Sequence, residues 1–192
     1  MTPPGEVAHT PDVFLRALAS LRSASIRPEV ALEERSAPRQ LAPHAIALAA
    51  RVVFDGAELA CGHFIMLHDP AGQQGWDGTF RIASYVRAEL DSDMVTDPLL
   101  AGVGWSWLTD ALEAQDASYA APGGTITRSA SESFGAIADL PASTEIEMRA
   151  SWTPLGADLA SHLQAWCVLL CTVAGLPPLP SGVASLRRWQ QW

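Results

Sequence analysis

The stretch HDPAGQQGWDGTFRIASYVRAELDSDMVTDPLLAGVGWSWLTDALE, residues 68–113, decides the fold of this chain. It contains, in order, a loop rich in glycine and aspartate, an alternating segment and a nearly all-apolar segment, and it holds three of the seven tryptophans. In residues 79–90, apolar side chains alternate with Arg81, Tyr85 and Arg87, which predicts a half-buried antiparallel strand. The remaining segments are expected to pack around this unit.

The apolar segment predicts a helix over residues 97–115, beginning at Asp97-Pro98. At about 100° per residue, its polar side chains fall in one narrow sector and the rest of the circumference is apolar. A helix that lies on a sheet with one free side shows a wider polar face. We therefore expect this helix to be covered on two sides, by the sheet and by a partner. The candidate interface residues are Leu100, Val103, Trp107, Leu108 and Ala111.

Turn and periodicity signals place the other elements on both sides of this stretch. Asp55-Gly56 separates two strand-like runs, 45–54 and 57–67, and predicts a hairpin with a type I′ turn. Pro122-Gly123-Gly124 is typical of a turn before a further strand, and residues 145–152 alternate again. Amphipathic stripes predict two more helices, at 11–24 and 157–174, and a short edge strand is a candidate at 29–33.

These elements predict an α+β fold: an antiparallel sheet of about five strands flanked by three helices, in the order αβββαββα. A single domain is expected over residues 11–178, with flexible tails at 1–10 and 179–192. The element order resembles the pattern of small type III secretion chaperones and similar adaptor-like domains. Such folds commonly dimerise and bind protein segments, so the pattern implies a protein partner or a second copy of the chain.

The amino-acid composition disfavours or excludes several classes of function. The net charge of −9 disfavours a nucleic-acid binder, which needs basic surface to displace the counterions around phosphates. All cationic side chains are arginine, and the absence of lysine excludes Schiff-base and P-loop lysine chemistry. No signal peptide is evident, and the most apolar run, 165–179, is too short to span a bilayer. We expect a cytoplasmic protein that does not enter the membrane.

The loop at 68–78 has two interpretations. It combines ionisable, amide and aromatic side chains, as a ligand-binding or peptide-binding site would. Alternatively it is a cluster of turns in which the aspartates bond their own backbone and the tryptophan closes the end of the core, which is the interpretation that we favour. The candidate binding residues are His68, Asp69, Gln73, Gln74, Trp76 and Asp77.

Four long segments of the chain resemble one protein family: HDPAGQQGWDGTFRIASYVRAEL at 68–90, DPLLAGVGWSWLTDAL at 97–112, RASWTP at 149–154 and AWCVLLCTVAGLPP at 165–178. The family is the actinobacterial domain of unknown function 3000, and the resemblance extends from about residue 11 onward. It implies no activity. Members are often encoded near a ribonuclease-D-like exonuclease, so the resemblance implies a link to RNA metabolism.

Neither a metal site nor a cofactor site is expected. Cys61 and His63 lie on one face of a strand, but two ligands without a CxxC partner do not make a zinc site. Cys167 and Cys171, one helical turn apart, are expected to be buried free thiols. None of the common catalytic signatures is present, so no catalytic residue is predicted.

Arg81, Tyr85 and Arg87 form a basic, aromatic strip that could stack on RNA. Cross-strand pairing with Glu145 or Glu147 is the interpretation that we favour. The leading hypothesis for function is therefore a non-catalytic protein-binding or adaptor module, dimeric through its middle helix. The alternatives are a small-molecule or nucleotide-binding, enzyme-like domain that uses the 68–78 loop, and an accessory factor in RNA processing.

Overall fold

The Asp55-Gly56 turn joins two long, paired strands of the sheet. The computed structural model describes residues 10–38, 40–156, 158–178 and 187–188. Asp55 and Gly56 have φ values of 49° and 81°, so both take the left-handed backbone that a type I′ turn requires, and the predicted hairpin is confirmed. The turn joins strand β3 (His44–Phe54) to strand β4 (Ala57–His68), which pair antiparallel along their length.

Six antiparallel strands form the main sheet. Its spatial order is β2-β3-β4-β5-β7-β6. The strands besides β3 and β4 are β2 (Val30–Arg35), β5 (Phe80–Glu89), β6 (Tyr119–Ser131) and β7 (Ser143–Pro154). The prediction of an antiparallel α+β sheet is confirmed, and the number of strands is corrected from five to six because the candidate edge strand pairs with β3.

The helices pack on one face of this sheet. Three are long: α1 (Asp12–Arg22), α3 (Leu100–Ala114) and α4 (Ala160–Val173). A short α2 (Ser92–Val95), which was not predicted, precedes α3. Alternate residues of the central strands point into the core beneath the helices, among them Leu48, Phe64, Ile82, Met148 and Trp152. The opposite face has no helix on it among the described residues, and we call it the open face.

Glycine positions set how closely the layers approach. A Cβ atom on Gly62 of β4 would lie 2.9 Å from the ring of Trp166 on α4, so only glycine lets this fully buried indole lie on the sheet. On α3, a Cβ atom on Gly104 would lie 3.0 Å from Ile126 of β6. Close helix–sheet contact at these two points buries the tryptophan-rich core.

Two local predictions are wrong. Pro122-Gly123-Gly124 does not make a turn: it lies inside β6, where the pairing with β7 shifts between Ala120 and Gly123 and forms a bulge. Ala121, with φ of 46°, takes the strained backbone there. The middle helix begins at Leu100 instead of residue 97, although the Asp97 carboxylate does accept a hydrogen bond from the Leu99 backbone N–H, at 2.8 Å.

A two-stranded ladder completes the described structure. Strand β1 (Ser25–Ile26) pairs antiparallel with β8 (Arg187–Arg188). Apart from these two arginines and Thr10, the predicted tails at 1–10 and 179–192 lie outside the described residues. Within the part of the chain that is described, no helix has the length and apolar character needed to cross a bilayer.

Candidate functional site

His68, the first candidate of the predicted binding loop, points into the core. It is 2% exposed, and its ring stacks on Phe80 at 4.2 Å between centroids. The rings of His44 and Phe14 lie at 5.9 and 6.1 Å. No carboxylate bonds to the imidazole among the described residues. The structure therefore gives no support to His68 as a ligand-binding residue, because its strand position places it on the core face of β4.

The rest of this segment, which we call the 69–79 loop, bonds mainly to itself. The Asp69 carboxylate accepts hydrogen bonds from the Ala71 backbone N–H at 3.0 Å and from the Gln73 amide at 3.1 Å. Thr79 closes the loop, since its carbonyl accepts the Asp69 backbone N–H at 2.9 Å. This geometry supports the turn-cluster interpretation. Of the other candidates, Gln74 and Asp77 are exposed, and Trp76 is half-buried with its carbonyl bonded to the Thr153 hydroxyl.

Both buried histidines are held in their neutral form. The Thr79 carbonyl can only accept, so the His68 Nδ1 carries the proton, and its Nε2 has no hydrogen-bond partner among the described residues. On α4, the Trp152 indole donates to the His162 Nδ1 at 3.1 Å, which leaves the proton on Nε2. Burial lowers the pKa of His162 to about 4, and burial also lowers the pKa of His68. These histidines stabilise packing and are poorly suited to proton transfer near neutral pH.

The predicted interface helix is covered mainly by its own chain. Leu100, Leu108 and Ala111 are buried, because α3 packs against β6 on one side and against α4 on the other. The structure therefore gives no support to these three as interface residues, because their own chain covers them. Val103 is 44% exposed and Trp107 is half-buried, so these two retain access to a partner.

The segment between β6 and β7, residues 132–142, exposes three large apolar side chains that the sequence analysis missed. Its backbone forms successive three-residue turns: Ala138 N–H bonds to Gly135 O at 3.2 Å, and Leu140 N–H to Ile137 O at 3.0 Å. Phe134 is extended, Gly135 has a positive φ of 65°, and a single 3-10 turn follows over Gly135–Ile137. Phe134, Ile137 and Leu140 lie close together in this segment and are 74%, 57% and 57% exposed. We call these three residues the ridge.

A second group of exposed apolar side chains lies at the same end of the sheet. Helix α2 packs against β6 and β7, and the Arg128 guanidinium donates to the Asp97 carbonyl at 2.6 Å. The start of α3 is thereby placed beside the end of β6, with Met94, Leu99 and Val103 exposed. With the ridge, they account for six of the twelve exposed large hydrophobic side chains among the described residues. We call these six residues the apolar end.

Exposed carboxylates border the apolar end. Those on the segments that form it are Asp91, Asp93, Asp97, Glu132 and Asp139. On the same segments, 91–103 and 132–142, the sequence has no arginine. The five carboxylates outnumber the Arg128 guanidinium that reaches this end from β6, so the local charge is net negative and favours cationic surfaces over anionic ones.

The strip on β5 is engaged in cross-strand pairs. The Tyr85 hydroxyl donates to the Glu147 carboxylate at 3.0 Å, and the Arg87 guanidinium makes a two-pronged ion pair with Glu145. This confirms the interpretation favoured from the sequence. Because their polar groups are already occupied, Tyr85 and Arg87 give no support to an RNA contact.

The open face contains a trough of about 560 Å³ across β4, β5, β7 and β6. Its floor is a cross-strand row of mostly small residues. Larger residues on the neighbouring row form its wall, with the Arg149 guanidinium 5.2 Å from the centre of the Tyr85 ring. The floor residues are Ile65, Ala83, Ser151 and Gly123, and the wall residues are His63, Tyr85, Arg149 and Thr125.

Arg81 borders the other side of the floor. Its guanidinium donates to Ser151 Oγ at 2.7 Å, to Thr153 Oγ1 at 3.1 Å and to the Ala121 carbonyl at 2.9 Å. All three acceptors are uncharged, and among the described residues no carboxylate lies in ion-pair contact with Arg81. Burial lowers the pKa of Arg81, with the Asp77 charge opposing the shift.

The thiols and possible metal ligands stay apart. Among the described residues no group of three or more histidine, cysteine, aspartate or glutamate side chains is placed to hold a metal ion. Cys167 and Cys171 are buried and free, as predicted. Burial raises the pKa of Cys171 to about 11 and raises that of Cys167 well above its ordinary value, so both stay protonated and unreactive.

A family model described as "Protein of unknown function (DUF3000)" matches residues 10–184, which is nearly the whole chain. The chain belongs to this family. The matched range includes the 69–79 loop, the ridge and the trough of this DUF3000 member, so all three surfaces lie inside the family's domain. Comparison with curated proteins and with solved structures gives no match.

Proposed function

We propose that this DUF3000 protein is a non-catalytic protein-binding module that holds its partner at the apolar end. The observation that carries the proposal is the ridge. Phe134, Ile137 and Leu140 lie close together in one short turn segment and are all more than half exposed. Exposed apolar clusters of this kind in a folded chain mark surfaces that another macromolecule covers.

The three ridge side chains are more than half exposed, so the surface that would cover them is a groove. A partner that fits has an apolar groove for the three side chains and cationic residues at its rim, opposite carboxylates such as Glu132 and Asp139. The same carboxylates disfavour an anionic membrane surface. They also disfavour a symmetric pair of these chains through this end, because a two-fold axis would bring like charges together.

The position of α3 fits this surface. Leu99 and Val103 are exposed and lie about one helical turn apart on the same side of α3. Trp107, which is half-buried, lies one turn further along that side. The predicted contact helix therefore contributes its exposed edge, beside the ridge, and its buried residues hold the domain together. Binding at this end requires no catalytic group.

The test compares two matched variants of the full chain. In the ridge variant, Phe134, Ile137 and Leu140 are all changed to serine. In the control variant, Val13 and Leu15 of α1, also exposed apolar residues, are changed to serine. Both variants should keep the circular dichroism of the original chain. Each protein is used to capture partners from a cell extract, and the captured partners are purified. The affinity of each purified partner for all three proteins is then measured by titration.

We expect a purified partner that binds the original chain and the control variant equally, binds the ridge variant at least about 100-fold more weakly, and releases as salt is raised. Equal binding by all three proteins would overturn the proposal. A concentration-dependent dimer that only the ridge variant loses would also overturn it, because the occupant would then be a second copy of the chain. Sedimentation of the original chain with anionic vesicles would overturn it as well.

A further inference from the structure

The trough on the open face is a second site, independent of the apolar end. The floor and wall are alternate residues on the same strands, so they stand about 7 Å apart along each strand. Ala83, Ser151 and Gly123 leave the floor low between taller rows on both sides. The volume of about 560 Å³ lies within the range of about 300–1,000 Å³ typical of small-molecule sites.

The charges around the trough are unequal. Arg149 is already neutralised, because its guanidinium contacts the Glu147 carboxylate at 2.8 Å. Arg81, on the opposite side, has only uncharged acceptors. A guanidinium has five N–H groups, so two remain after these three bonds, with no acceptor on them among the described residues. The trough thus has one positive side, at Arg81, whose charge Asp77 offsets in part without an ion-pair contact among the described residues.

Ser151 connects Arg81 to the floor. Its Oγ accepts from the Arg81 guanidinium, which leaves the serine O–H free to donate. A carboxylate at this point would receive hydrogen bonds from both groups, and two such charge-assisted bonds are stronger than bonds between neutral groups. Next to it, Ala83, Gly123 and Ile65 offer an apolar surface with no polar side chain to satisfy.

The geometry points to a binding site for a small apolar carboxylate, with the carboxylate on Arg81 and Ser151 and the apolar body along Ala83 and Gly123. The Tyr85 ring borders the body on the wall side. A flat ring suits this ligand better than a flexible chain, because the floor is one row of residues wide. The site needs no reaction and no metal.

The probe is 2-naphthoate, and 2-naphthamide is its uncharged counterpart. Each is titrated into the full-length protein and followed by NMR shifts and calorimetry. We expect 2-naphthoate to bind and to shift resonances of Ala83 and Gly123, with 2-naphthamide at least about 10-fold weaker. Ala83→Leu, which fills the floor, should abolish binding. Arg87→Gln, which changes an arginine outside the trough, should bind like the original chain.

Arg81→Gln should weaken 2-naphthoate to the level of 2-naphthamide. If this variant does not fold, the comparison of the two probes and the Ala83→Leu variant test the site without it. No binding of 2-naphthoate, equal binding of the two probes, or unchanged binding by Ala83→Leu would each overturn the inference. So would a preference for a peptide with a free C-terminus over 2-naphthoate. None of these results depends on the ridge, so the failure of one proposal is distinguishable from the failure of the other.

Discussion

The 69–79 loop and the 132–142 segment are both surface connections between strands, and they differ in what they leave free. The loop is rich in side chains that bind ligands, but Asp69 bonds its own backbone and the loop ends are tied to Thr79. The 132–142 segment has few such side chains, yet it exposes Phe134, Ile137 and Leu140 together. A polar group whose hydrogen bonds are already made within its own chain is therefore unavailable to a partner, whatever its chemistry.

The largest loss of stability is expected from a substitution of His68, at the start of the loop. His68→Ala removes a buried ring that stacks on Phe80, and it should lower the free energy of unfolding by about 3 kcal/mol. His63→Ala, which removes an exposed ring on the same strand, should cost less than about 1 kcal/mol. Denaturant unfolding measures both. Equal losses would mean that His68 does not have the structural role assigned to it.

The same histidine should make stability depend on pH. Its pKa is lowered in the folded state, so below the ordinary value of about 6.5 the unfolded chain binds more protons and stability falls as pH falls. His162, with its pKa lowered to about 4, acts in the same direction. His68→Gln should therefore flatten, in part, the decline in unfolding free energy between roughly pH 7 and pH 5. An unchanged decline would show that His68 is not buried in its neutral form.

A smaller loss of stability is expected from a substitution inside the loop. Asp69→Ala removes the acceptor for the Ala71 backbone N–H and for the Gln73 amide, and it should cost about 1 kcal/mol. Hydrogen exchange at the Ala71 amide should become faster. Gln74→Ala, at an exposed position, is the control and should change neither quantity. If Asp69→Ala instead left both unchanged, the loop would not depend on its own bonds.

The smallest effect on stability is expected at the ridge. Phe134→Ser should change the free energy of unfolding by no more than about 0.5 kcal/mol, because the ring has little packing to lose. Its consequence should appear in partner binding alone. A loss above about 1 kcal/mol would mean that the ring packs on its own chain, and the contrast with the loop would no longer hold.

The pattern of the sequence predicted most of the fold because period and turn chemistry are local. Asp55-Gly56 has the residues that a type I′ turn needs, and β5 alternates as expected. The apolar circumference of α3 predicts that a partner covers it, whereas α4 supplies much of this cover. Which helix lies beside which is decided by contacts distant in sequence, such as Trp166 on Gly62, and no local pattern shows them.

The candidate sites were less predictable for a related reason. The residues that form the trough come from four strands, and only their register brings Ala83, Ser151 and Gly123 into one row. The apolar side chains of the ridge recur every three residues in the sequence, but this spacing fits neither a strand nor an α-helix, and the structure is a 3-10 turn only over Gly135–Ile137. The cross-strand pairing of Arg87 with Glu145 was predictable, because facing charges on neighbouring strands attract.

The bulge in β6 has a consequence for how any partner can attach. β6 is one edge strand of the sheet, and its irregular backbone at Ala121 and Pro122 interrupts, near the start of the strand, the even spacing of donors and acceptors that a foreign strand would need. The other edge strand, β2, is only six residues long and ends in Glu33, Glu34 and Arg35. The bulge and the short β2 therefore restrict a foreign strand at the sheet edges to the regular part of β6, residues 123–131.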